Sequence, residues 1–478
     1  MKFTHLSGWL ASILISFPLL GQDIPGLQQS NYGGLYRASY NPAALGGSPQ
    51  KFQINILSLG GSITRRYFDF IGKNSLLTPL LVPHSTKEIY GRSRTMGSIT
   101  SGDQLFLASD IRWPSVLLAL DRYQSIAVQF RSRGFIQGSQ VPADIQNLYK
   151  RRLDTGLAPA SSGSWGPMGL AQLSFSEIDF SYGVQVLDLD AHKLRLGATV
   201  KRIIGARTSY VRGSIDQYEV REQAAASEIS TLILKDINYE SGYSQASKGL
   251  RIGDLFDKQQ YGAGWAMDLG VTYELGNYWI NEKESFDDSP TYLIRLSASV
   301  TDLGSVRYKT ANSSVVRGNL SEKSIGQSEM ETISDRGAEG FMELFPSDDT
   351  TPFQGSMQLP QALHLEADVQ LVQGFFLNMS KTSRFKPADD ELLDVYLPNS
   401  FTIGPRWENE DSNVAFPVTF IEGNKKVSIG AVAHFGPIFV GVNNMGTLFK
   451  KSPNSAGMAY IGLSVWKMKR RMKSRQDK

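Results

Sequence analysis

The chain has no cysteine in its 478 residues. A structural disulfide, a thiolate nucleophile, a cysteine-bound zinc and lipid attachment to a cysteine are all excluded. Neither sign of charge is in excess. Lys plus Arg is 49 against 46 for Asp plus Glu, a formal charge of +3. That balance gives no electrostatic case for a nucleic-acid partner. Long apolar runs are missing as well. Beyond the N-terminus no stretch reaches the roughly 18 apolar residues of a membrane-crossing helix. No Gly-x-Ser-x-Gly elbow, phosphate loop or zinc-protease motif occurs, so no enzyme activity and no cofactor are expected. Histidine is scarce, at five.

What is present begins with an N-terminal leader pattern. Lys2 precedes a mostly apolar stretch over residues 6–20, and Gly21 is a small residue suited to a cleavage site. Residues 1–21 therefore read as a signal peptide, removed on export through the Sec pathway.

The main signal is alternation with period two, repeated along the chain. Ile178, Phe180, Tyr182 and Val184 share one face, and Glu177, Asp179, Ser181, Gly183 and Gln185 the other. Leu194, Leu196, Ala198 and Val200 alternate with Arg195, Gly197, Thr199 and Lys201. Trp265, Met267, Leu269, Val271 and Tyr273 alternate with Gly264, Ala266, Asp268, Gly270 and Thr272. Tyr292, Ile294, Leu296, Ala298 and Val300 are set against Arg295, Ser297, Ser299 and Thr301. Leu363, Leu365, Ala367 and Val369 are set against His364, Glu366 and Asp368. Val427, Ile429, Ala431 and Ala433 alternate with Ser428, Gly430 and, less cleanly, Val432.

These runs have the length of strands that cross a membrane, roughly 9–11 residues. In a soluble sandwich the polar face would meet water; in a transmembrane barrel it faces a lumen. The connections favour the barrel. Some are tight, at Asp121-Arg122-Tyr123, Asp190-Ala191-His192, Gln373-Gly374 and Gly423-Asn424-Lys425. Others are long and polar, near residues 71–103, 136–169 and 306–359. Such asymmetry belongs to outer-membrane barrels. The expected fold is all-β, a transmembrane antiparallel barrel of about 14 strands. Residues 22–50 precede it, residues 51–466 form it, and residues 467–478 are a basic periplasmic tail. Within the long connections, residues 143–153 have helical spacing, and residues 310–349 read as a polar loop.

Between leader and first strand stands Asn41-Pro42-Ala43. This element resembles the signature of the FadL/TodX outer-membrane transport superfamily, shared with secretion-associated barrels of the PorV type. The strings GAGWAMDLGVTYEL (residues 262–275) and TDLGSVRY (residues 301–308) look like an uncharacterised PorV-like branch found in bacteria with type IX secretion. The resemblance implies that residues 22–50 fold inside the barrel as a plug, with Asn41, Pro42 and Ala43 in the lumen. It implies two roles, a channel for a small solute, hydrophobic solutes included, or an accessory barrel anchoring an exported protein. A secreted β-rich adhesin is the reading outside the membrane class. Outer-membrane lipid is a partner of the barrel in either role.

The candidate lumen residues follow from the polar faces: Arg131, Asp179, Arg195, Lys201, Asp268, Arg295, Glu366 and Asp368. Counting back from the turn at residues 190–192 sets Asp179 near Lys201 and Gln185 near Arg195. His364, Glu366 and Asp368 share one strand face, a ladder that lines a polar lumen rather than a metal site.

Overall fold

The computed structural model describes residues 24–64, 105–140, 162–189, 191–221, 231–244, 262–276, 292–308, 313–326, 328–329, 332, 338–345, 349–351, 356–385, 393–421, 427–445 and 456–469. The leader, the helical spacing at residues 143–153, the turn at residues 423–425 and most of the basic tail lie outside them.

Alternation dictates the architecture, because successive side chains of a strand point to opposite faces. Fourteen antiparallel strands close into one barrel. The first five are β1 (Gln50–Thr64), β2 (Leu105–Arg112 and Ser115–Ala119), β3 (Gln124–Ser139), β4 (Ser162–Leu189) and β5 (His192–Arg221). Then come β6 (Gly262–Gly276), β7 (Tyr292–Tyr308), β8 (Ser356–Gln358 and Ala362–Val372), β9 (Phe375–Arg384) and β10 (Ser400–Glu408). The last four are β11 (Ser412–Ala415 and Val418–Ile421), β12 (Ser428–Ile429 and Ala431–Phe435), β13 (Ile438–Val442) and β14 (Ala456–Met468). β1 pairs with β2 on one side and β14 on the other, which removes the open edges a sheet would otherwise expose.

Tight turns join β2 to β3, β4 to β5, β8 to β9, β10 to β11 and β12 to β13, all at one end of the barrel. Both termini of the barrel wall leave from that end. The connection at residues 423–425 belongs to the opposite end, with the long ones.

The outer surface is apolar. Phe180 is 59% exposed, Val200 50% and Trp265 62%, and such a belt suits lipid rather than water. The inner face carries the polar partners: Asp179, Thr199, Lys201 and Asp268 are buried. Tyr292 and Val432 are among the described residues that depart from simple alternation. Tyr292, expected outside with Ile294, turns inward, because a register shift between β6 and β7 sets it opposite Gly276. Val432 points inward among polar neighbours because it packs on Ile24 and Leu27 of the N-terminal segment.

Strands β4 and β5 are 28 and 30 residues long, far more than a bilayer requires. Their outer halves continue into a sheet with strands Thr231–Ser244 and Ser313–Ile325. Trp165, Tyr218, Leu234, Tyr239 and Phe345 give this extension its own apolar core, with Phe341 of helix Ala338–Leu344 packed against it. The polar reading of residues 310–349 is thus corrected. Ser, Asn and Glu on the exposed side mask the inward Val316 and Ile325, which pack in that core.

Candidate functional site

The lumen gathers the chain's polar chemistry, and the N-terminal segment is its nearest neighbour. Asn41 starts a 3-10 helix, Pro42–Leu45, its side chain accepting from the Ala43 amide at 2.9 Å. Proline suits the first position of such a turn, where its missing N–H costs nothing. Gly183, Gly197 and Gly270 lie side by side on β4, β5 and β6. Together they form a groove without side chains, and the helix rests in it. A Cβ at Gly183 would stand 2.6 Å from that of Leu45; at Gly197 it would strike Pro42, and at Gly270 the Asn41 side chain. The Asn41 amide also donates to the Val271 carbonyl at 3.2 Å, and Ser299 donates to the Tyr40 carbonyl at 2.6 Å.

Elsewhere the segment binds other strands of the wall. Ser30 donates to Glu408 at 2.6 Å, and the Asn31 amide donates to Glu408 at 2.6 Å. Arg295 donates to the Gln29 carbonyl at 2.9 Å and to the Asn31 side chain. Tyr36 donates to Asn55, and Tyr460 to the Pro25 carbonyl at 2.6 Å. Ile24, Leu27 and Tyr36 pack on Ala415, Val432, Phe439 and Tyr460.

Around it the inward charges pair across strands. One chain crosses β2 to β7. Arg112 meets Asp110 at 3.0 Å, Asp110 meets Arg131 at 3.0 Å, and Arg131 meets Glu177 at 3.1 Å. Glu177 meets Arg133 at 3.3 Å, Arg133 meets Asp302 at 2.7 Å, and Lys201 bridges Asp302 at 2.7 Å and Asp268 at 2.9 Å. A second cluster spans β7 to β10. Arg295 holds Glu366 at 2.6 Å and Asp368 at 3.2 Å, and Arg406 holds Asp368 at 2.8 Å and Glu408 at 3.1 Å. Arg195 pairs with Glu274 at 2.8 Å and reaches Gln185 at 3.2 Å. Buried ions persist only when paired this closely, since desolvation costs several kcal/mol each.

Of the charged residues singled out from the sequence, Arg131, Arg195, Lys201, Asp268, Arg295, Glu366 and Asp368 stand in these ion pairs. The register sets Asp179 opposite Lys201 and Gln185 opposite Arg195. Asp179 is buried beside Lys201, whose ammonium bonds instead to Asp268 and Asp302. His364 lies between Thr301 at 3.1 Å and Thr382 at 3.0 Å, while Glu366 and Asp368 are held by guanidinium groups. Sequence reasoning missed Asp110, Arg112, Arg133, Asp302, Arg406 and Glu408. Arg133 follows Arg131 at the strand period and was legible. Asp302 was not: it adopts φ 61 at a bulge, which swings its carboxylate inward. Arg406 and Glu408 were legible too, since Thr402, Gly404, Arg406 and Glu408 alternate with Phe401, Ile403, Pro405 and Trp407.

Toward the outer end the lumen turns apolar. Phe106, Phe135, Leu173, Phe175 and Val306 form a layer there. The Arg133 guanidinium lies 5.2 Å from the Phe135 ring centre and joins this layer to the charges below. Residues 393–399, from the outer connection between β9 and β10, fold into this layer. Val395 and Leu397 are buried in it, and the Tyr396 amide donates to Gln137 at 2.9 Å. Arg384 covers the Tyr396 ring at 3.2 Å. Between this outer insert and the N-terminal segment remains a cavity of about 60 Å³, bordered by Pro25, Gln28 and Tyr40 on one side and Leu397 and Pro398 on the other.

A family model described as "Family of unknown function (DUF5723)" matches residues 42–443. No curated protein matches the sequence. Among solved structures, the chain is similar to the toluene transporter TbuX of Ralstonia pickettii, at 13% identity and TM-score 0.38, covering 94% of this chain and 98% of that one. It is similar to a Pseudomonas aeruginosa FadL homologue at 11% identity and TM-score 0.38, covering 93% and 98%. It is also similar to the Escherichia coli outer membrane protease OmpT at 9% identity and TM-score 0.23, covering 88% and 97%. At such scores these likenesses carry no argument about function.

Proposed function

Because the chain belongs to the DUF5723 family of unknown function, its family brings no activity with it, and we propose from the lumen that it is an outer-membrane channel for a small solute. The observation that carries this reading is the cavity between the N-terminal segment and the insert at residues 393–399. Pro25, Gln28 and Tyr40 border it on one side and Leu397 and Pro398 on the other. The insert at residues 393–399 acts as outer lid, held by Val395, Leu397 and the Tyr396–Gln137 hydrogen bond. The N-terminal segment acts as plug, seated on the glycine groove and tied to Glu408 and Arg295. A solute crosses when first the lid and then the plug yields. The leader at residues 1–21 directs the chain through the Sec pathway, and the apolar belt meets outer-membrane lipid.

The absence of cysteine makes the lid testable. Gln137→Cys combined with Tyr396→Cys places two thiols where backbone and side chain touch. In proteoliposome swelling assays, oxidation should block solute entry and reduction restore it. Entry at the unaltered rate in the oxidised protein, with the crosslink verified by mass, contradicts a lid at this position.

A further inference from the structure

The chamber's lining differs from the rest of the lumen. The ion pairs sit on the β2–β8 wall and at β10, and among the described residues no charged side chain borders the cavity. Its polar surface comes from Ser380, Thr382, Thr402, Thr419 and Asn443, with Gln28 and Tyr40 from the plug. Its apolar surface comes from Phe106, Leu397 and Met458. The Thr402 and Thr419 hydroxyls are ordered. Thr419 donates its proton to Asn443 at 3.1 Å, so in its contact with Thr402 at 3.0 Å it accepts. Each hydroxyl still offers acceptor lone pairs.

We propose that this chamber is a binding site for a small uncharged solute that forms hydrogen bonds, such as a short polyol or an amide. This deepens the channel reading and rests on it. An ion entering the chamber loses its hydration and finds no counter-charge, because the nearby carboxylates and guanidinium groups already hold one another. A pure hydrocarbon displaces water from the hydroxyls and returns no hydrogen bond. A neutral hydrogen-bonding solute meets neither penalty. The volume of about 60 Å³ fits this class, as a single buried water needs only about 10–15 Å³ of such space.

The test is swelling of proteoliposomes in erythritol and in serine, which are close in size. Erythritol is uncharged, and serine carries both an ammonium and a carboxylate. Erythritol should enter at least about tenfold faster, given the cost of stripping water from an unpaired charge. A Thr402→Val, Thr419→Val double variant with unchanged heat-shifted gel mobility should lose most of that entry. Serine keeping pace with erythritol overturns the solute class and leaves the channel standing. Erythritol entry unaffected by the double variant overturns the chamber as the binding site. If neither solute enters faster than into protein-free vesicles, the channel reading fails and the solute class fails with it.

Discussion

Gly197 lies directly beneath Pro42, so close that a methyl group on Gly197 would collide with the Pro42 carbonyl. A strand position and a segment more than a hundred residues earlier in the chain are therefore shaped for each other. Gly197→Leu should unseat the N-terminal segment. The expected cost is about 1–3 kcal/mol, as for other overpacked sites, together with faster proteolysis within residues 24–48. Gly166→Ala is the control, because nothing lies within 4 Å of its added carbon. Urea titration of folded protein in detergent, with timed protease digestion, measures both.

Arg406 holds Asp368 and Glu408, and all three are buried. Removing one partner of such a cluster strands the others without water. Arg406→Ala should destabilise the barrel by about 3–5 kcal/mol. Arg317 also pairs, with Glu240 at 2.8 Å, but its side chain is 52% exposed. Arg317→Ala should cost less than about 1 kcal/mol. Equal losses in unfolding titrations would mean that the lumen around Arg406 is wet.

Much of the fold was legible because lipid and lumen impose opposite demands on alternate residues. Glu177 to Gln185 and Arg195 to Lys201 declare their inward faces without any knowledge of the pairing. The turn at residues 190–192 then fixes which residues stand opposite. Where alternation lapses, the reason is local. Tyr292 follows a register shift, Asp302 sits at a bulge, and Val432 answers to the N-terminal segment rather than to its strand. The insert at residues 393–399 left no such trace. Its burial comes from contacts with Phe106, Phe135 and Leu173, far away in sequence, and a short apolar stretch in a connection has no periodicity to read.

The outward face makes its own demand. Phe180 is 59% exposed, on the same strand as inward Asp179. Phe180→Arg should cost about 2–4 kcal/mol in lipid vesicles if its level is the membrane midplane, falling toward the interfaces. The same substitution leaves a water-facing residue nearly neutral, so folding into vesicles of defined thickness distinguishes a lipid face from a soluble one.

The central claim is a barrel whose lumen is closed to ions by paired charges, a plug and a lid. Its most direct measurement is the ion current through the purified wild-type protein inserted in a planar lipid bilayer. The account predicts no steady current in the wild type and discrete current steps once Gly197→Leu has unseated the N-terminal segment. A large, steady current through the wild-type protein would contradict it, because ions would then be crossing a lumen that the N-terminal segment and residues 393–399 are said to seal.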